Sequence, residues 1–215
     1  MEESKLKLIL LRHGETDYNL QGRYQGQSDV PLSERGRKQG ELVGRRLAGQ
    51  SFDFIVSSDL SRAQETAQIV NGYLGLPMFV DSRWREIAFG QWEGHTAQEI
   101  AQGWPQELQT WREDPSRACP PGGEALLDVQ ARLMEALEDL AAQRPGQNGI
   151  IVLHGGAIRI ICATILGLDL TKRYRIPTDN GSLTTIAKKG PQWALLTIND
   201  VAHLAGEPCG GGLEV

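Results

Sequence analysis

The chain reads as an α/β protein: a three-layer α/β/α sandwich built on a mostly parallel sheet with one antiparallel strand. Two features carry that reading. Short apolar runs, "KLKLILL" at 5–11, "FDFIVSS" at 52–58 and "GIIVLHG" at 149–155, alternate with segments of helical period. Such runs need cover on both faces, which a parallel sheet between two helix layers supplies. The stretch 182–199 instead reads as two strands around a Gly-Pro turn, and this hairpin brings in the antiparallel neighbour.

Each helix has its own signals. Residues 32–49 predict a helix with Ser33 as N-cap and Gly49 as its stop. Residues 61–75 predict a second, with Ser61 and Gln64 spaced as a capping box. Residues 96–111 are helical in part, with another box at Thr96 and Glu99 and a break at Pro105. The strongest amphipathic pattern covers 124–143, and a helix over 157–167 follows the third strand. No repeat or linker divides the chain, so residues 1–205 are expected to form one domain. The Gly-rich tail 206–215 is expected to be disordered.

Bulk properties exclude several classes. With 27 acidic and 22 basic residues the net charge is −5, and a nucleic-acid binder needs a basic face. Cys119, Cys162 and Cys209 are widely spaced and form no CxxC or Cys/His metal pattern, so reduced thiols are expected. The first apolar run is too short for a signal peptide or a membrane span. The expectation is a cytoplasmic protein with no nucleic-acid or membrane partner, no metal and no cofactor. A homodimer is left open.

The chain has four histidines, and two of them end strands, in "LLRHGET" (His13) and "IIVLHGG" (His154). Ligands of open parallel sheets sit outside the carboxyl ends of the strands. Neighbouring strands would bring His13, His154, Arg12 and Arg62 of "SSDLSRAQ" to one crevice. Arginines match phosphate oxygens with planar, bidentate donors. Helix N-termini in the same crevice favour an anion, and glycines beside the histidines allow close backbone approach. With no carboxylate cage, this set points to a phosphate site. Two acids, Glu86 and Glu93, lie in "WREIAFGQWEG", and the residue pattern alone does not choose between them.

"LLRHGETDYN", "GRYQGQSDVPLSERGRKQG", "IVSSDLSRAQETA", "WREIAFGQWEG" and "VLHGGAIR" together resemble the histidine phosphatase superfamily, the phosphoglycerate-mutase-like group. The likeness runs in order through residues 6–203. It implies the phosphoglycerate-mutase-like fold and a metal-independent phosphomonoester hydrolase for a small phosphorylated metabolite. It makes His13 the nucleophile that becomes phosphohistidine, and Arg12, Arg62 and His154 the clamp on the transferring group. Asn19, Gln25, Gly26 and Gly155 match positions lining the phosphate pocket, and Glu86 matches the proton donor. The short chain is similar to broad-specificity and alpha-ribazole phosphatases. A cofactor-dependent phosphoglycerate mutase is the alternative. Only Arg112 and Arg117 lie between Glu86 and Glu124, few cations to hold a bisphosphate. Trp92, Trp104 and Trp111 crowd the same segment, as pocket wall or as core of a helical cap. A non-catalytic phospho-ligand-binding member would be expected to lack one of the two histidines.

Overall fold

The computed structural model describes residues 6–114 and 118–206. Arg117, Cys209 and the tail from 207 lie outside the described residues. The strands are β1 (Leu6–Arg12), β2 (Phe54–Ser57), β3 (Met78–Val80), β4 (Asn148–Leu153), β5 (Leu183–Lys189) and β6 (Gln192–Asp200). They form one sheet in the order β3-β2-β4-β1-β5-β6. β3, β2, β4 and β1 pair in parallel, and β5 pairs antiparallel with both β1 and β6. β5 alone therefore runs against the other five, as the hairpin in the sequence implies.

Helices α1 (Asp17–Leu20), α2 (Glu34–Leu47), α3 (Ser61–Leu74), α4 (Ala97–Gly103), α5 (Pro105–Glu113), α6 (Leu126–Gln143) and α7 (Gly155–Ile165) complete the layers. Alternate side chains of a strand face opposite ways. Ile9, Leu11, Ile55, Ile150 and Val152 pack on Val43 and Leu47 of α2 and on Ala63, Ala67 and Val70 of α3. Leu8, Leu10, Val56, Ile151 and Leu153 pack on α6, α7 and the tryptophans on the other side. Burying each such aliphatic side chain contributes roughly 1.5–3 kcal/mol, which is why these strands contain no polar alternation. Trp92 and Trp111 are fully buried and Trp104 half-buried, so these rings are core of the α4–α5 cap.

Three local expectations change. Ser61 does not cap α3: the N-cap is Leu60, which makes no side-chain bond, and Asp29 Oδ1 accepts from Ser61 N–H at 2.8 Å. A loop remote in sequence satisfies that helix start. The helix expected from 157 begins at Gly155, directly after His154. β3 and the one-turn α1 have no counterpart in the pattern reading. β3 has three residues at the sheet edge, with Phe79 and Val80 exposed, so it carries no buried alternation to read.

Candidate active site

Strand register builds the site. Arg12 pairs with Leu153 in the β1–β4 ladder, so the next residue on each strand, His13 and His154, emerges beside the other. His13 N–H donates to Leu153 O at 2.9 Å, and the two imidazole centroids lie 5.1 Å apart. On β2, Ser57 pairs with Val152, which brings Ser58 beside His154, and Ser58 Oγ lies 2.9 Å from His154 Nε2. The sheet thus gathers residues from three distant stretches at its carboxyl edge.

His13 Nδ1 lies 2.7 Å from Gly14 O. A carbonyl only accepts, so Nδ1 carries the proton and Nε2 keeps its lone pair. Burial first, then the Arg62 and Arg12 charges, hold the His13 pKa well below its ordinary value. The ring is therefore neutral at neutral pH, as a nucleophile must be. Burial and then Arg62, His13 and Arg12 lower His154 in the same way. His154 Nδ1 is buried with no hydrogen-bond partner.

Arg12 donates through Nη1 to Thr178 O. Arg62, fully buried in the first turn of α3, donates to Gly26 O at 2.7 Å and Ser28 O at 2.8 Å. Its Nε is buried without a partner. Burial lowers its pKa to about 10, so it stays cationic at neutral pH. Thr66 ties this arginine to the strand end that carries His13. Its hydroxyl accepts from Gly14 N–H at 3.1 Å and donates to Arg62 O at 2.7 Å.

The two acids separate. Glu86 reaches the first turn of α7, where Oε2 accepts from Gly156 N–H at 2.8 Å and Oε1 from Ala157 N–H at 3.1 Å. It sits next to the second histidine. Glu93 instead binds the 26–28 loop, accepting from Gln27 N–H at 3.0 Å and Ser28 Oγ at 2.6 Å. That loop supplies the carbonyls that hold Arg62, so Glu93 acts behind the arginine. The loop also explains Gly26. Its φ is +53°, and a Cβ there would lie 2.1 Å from Glu93 Oε1.

Asn19 and Gln25 converge on Thr16. Gln25 Oε1 accepts from Thr16 Oγ at 2.8 Å. Asn19 Oδ1 accepts from Thr16 N–H at 3.1 Å and from Asn180 Nδ2 at 3.1 Å. Gly155 opens α7 where a Cβ would crowd Arg12 Nε at 3.1 Å. Sequence reasoning missed Ser58, Thr66, Thr178 and Asn180. Ser58 was legible as the residue ending a strand in "IVSS". Thr178 and Asn180 lie in the turn-rich "IPTDNGS", which has no residue type specific to catalysis. His95 and His203 stand apart from this group: His95 packs edge-on to Trp104, and His203 bonds Gly181 O at 3.0 Å.

Two neighbouring histidines, two arginines and a carboxylate on an adjacent helix start thus meet at the carboxyl edge of the sheet. The sequence profile of the histidine phosphatase superfamily (branch 1) matches residues 8–201. The chain is 34% identical over 199 residues to phosphoserine phosphatase 1 of Hydrogenobacter thermophilus, covering 93% of this chain and 94% of that one. The structure of Bacillus stearothermophilus YhfR superposes with a TM-score of 0.87 at 35% identity, over 93% of this chain and 99% of the other. Alpha-ribazole phosphatase from Shigella flexneri superposes with a TM-score of 0.82 at 30% identity, over 90% and 96%. The chain belongs to the histidine phosphatase superfamily and is a phosphoric monoester hydrolase.

Proposed function

We propose that the protein hydrolyses the phosphate monoester of a small metabolite in two steps, without a metal. His13 Nε2 attacks phosphorus, the bond to the leaving oxygen breaks, and Glu86 gives that oxygen its proton. Water then attacks the phosphohistidine, Glu86 takes a proton from it, the N–P bond breaks, and inorganic phosphate leaves. Arg12, Arg62 and His154 stabilise charge on the transferring group, the role that preorganised donors fill in such reactions. Asn19, Gln25, Gly26 and Gly155 shape the phosphate pocket. The observation that carries this reading is the His13 Nδ1–Gly14 O bond of 2.7 Å, which leaves Nε2 as the nucleophile.

The named relatives favour phosphorylated small molecules such as phosphoserine and alpha-ribazole phosphate as the substrate class. The scarcity of cations noted between Glu86 and Glu124 does not leave the cap free of positive charge: Arg173, from a later segment, stacks 5.1 Å from the Trp111 ring. Residues 1–205 act as one catalytic domain in this reading. A cytoplasmic location fits the thiols of Cys119 and Cys162, both free. No helix among the described residues is long and apolar enough to cross a membrane. A homodimer is proposed as the assembly, to be tested by sedimentation.

The test is a brief exposure to 32P-labelled substrate followed by alkaline quench. The label should be base-stable, acid-labile and confined to His13, and turnover should persist in excess chelator. Label surviving in His13→Ala, or activity restored to chelated enzyme only by a divalent metal, overturns the mechanism. Interconversion of 3- and 2-phosphoglycerate faster than phosphate release would make the enzyme a mutase instead.

A further inference from the structure

Helix α7 starts without help from its own N-cap, because the His154 side chain makes no capping bond. Its first-turn N–H groups were expected to face a substrate anion. Two of them, at Gly156 and Ala157, are taken by Glu86. Gly156 has helical backbone geometry, so no left-handed conformation requires glycine there. Alanine would favour the helix. The glycine has a different reason. A Cβ at 156 would stand 2.5 Å from Glu86 Oε1 and 3.0 Å from Glu86 Cδ, in the space the carboxylate uses.

We infer that Gly156 is a positioning residue for the acid, and that the Gly156 and Ala157 N–H groups serve Glu86 rather than the transferring phosphate, which keeps Gly155. The inference rests on the assignment of Glu86 as proton donor. After giving its proton, Glu86 is a carboxylate held by the Gly156 and Ala157 N–H groups at the positive end of a helix, where an anion is favoured, and by Ile87 N–H at 2.9 Å. The backbone side of the same residue is also fixed. Arg132 of α6 donates to Glu86 O at 2.9 Å, and to Arg83 O and Arg85 O at 2.8 Å each. A methyl group at 156 would therefore displace the Glu86 carboxylate, while the flexible end of Ile87, whose Cδ1 would lie 3.0 Å from it, gives way beside it.

The experiment compares Gly156→Ala, Glu86→Gln and the double variant in single turnover. The substrates are β-glycerol phosphate, whose alkoxide needs a proton, and p-nitrophenyl phosphate, whose phenolate does not. Gly156→Ala should slow the alkyl ester by on the order of tenfold or more and the aryl ester much less. Vanadate inhibition and the melting temperature should be unchanged. The double variant should be no slower than Glu86→Gln alone, since the glycine acts only through that side chain. Equal loss on both esters with weakened vanadate binding would assign the helix turn to the phosphate and overturn the inference. So would wild-type rates on both esters, or a full additional loss in the double variant. If Glu86→Gln shows a leaving-group-dependent loss and Gly156→Ala does not, the acid assignment stands and the positioning role falls. If Glu86→Gln shows none, the acid assignment falls and the inference with it.

Discussion

Glu86 and Glu93 stand seven positions apart in one loop, and their chemistry is identical until the chain folds. Glu86 meets α7, while Glu93 meets Gln27 and Ser28 and so holds the carbonyls that aim Arg62. Glu93→Gln therefore acts on the transferring group through the arginine. It should slow alkyl and aryl phosphates alike, by roughly ten- to a hundredfold, because charge on the transferring group is common to both. Single-turnover rates on the two esters check this, and a loss confined to the alkyl ester would make Glu93 the acid. Thr66 offers a second residue-scale test. Thr66→Val removes the hydroxyl between Gly14 N and Arg62 O, whereas Thr66→Ser keeps it. Valine should cost activity on both esters, and serine should retain most of it. Equal impairment by both would mean that packing, not the hydrogen bonds, matters at 66. Residue types at the site were legible where they end strands, as with Arg12, His13 and His154. The division of labour between the two acids was not, because it depends on which segment each faces.

The helix starts show where local sequence suffices. At α4 both bonds of the box form within the helix's own sequence: Thr96 Oγ accepts from Glu99 N–H at 3.2 Å, and Glu99 Oε2 accepts from Thr96 N–H at 2.7 Å, with Arg23 Nη1 also donating to Glu99 Oε2 at 2.9 Å. Thr96→Ala should cost about 1 kcal/mol, read from urea unfolding with activity largely retained. An unchanged midpoint would show that the α4 start is held by tertiary contacts instead. At α3 the same spacing misled, because Asp29 completes that start from another loop. A capping box is a local device, and a cap delivered across space leaves no mark in the helix's own sequence. The α6 pattern at 124–143 was read nearly to its ends, since one face packs on the sheet. Nothing in that pattern marks Arg132, whose bonds all go to the acid loop and to Glu124.

Across the whole molecule, the two site histidines make folding sensitive to acid. Both have folded pKa values well below 6.5, so between those values and 6.5 the unfolded chain binds more protons. Stability should be full above about pH 6.5 and decline as the pH falls below it. The urea midpoint should therefore drop between about pH 6.5 and 5, and His13→Asn should flatten that slope. Asp59, held low chiefly by its bond to Arg85, weakens the fold only at still lower pH, as it protonates. A midpoint flat down to pH 5 would contradict the burial of neutral histidines. The layered architecture was legible because every central strand is apolar on both faces. The β1–β4 neighbourhood was not, since Lys7 pairs with Asn148 and nothing local announces so distant a partner. That pairing has a consequence for biosynthesis. A nascent chain emerging from the ribosome presents Arg12, His13, Arg62 and Glu86 long before β4 exists. The strand that aligns the second histidine, Asn148–Leu153, and the helix that receives the acid, Gly155–Ile165, arrive together long after Glu86. With contacts this far apart in sequence, folding is slow to commit. Phosphate affinity should accordingly switch on in one step once β4 and α7 have emerged, making ligand capture by stalled, truncated products a direct clock of when the sheet closes.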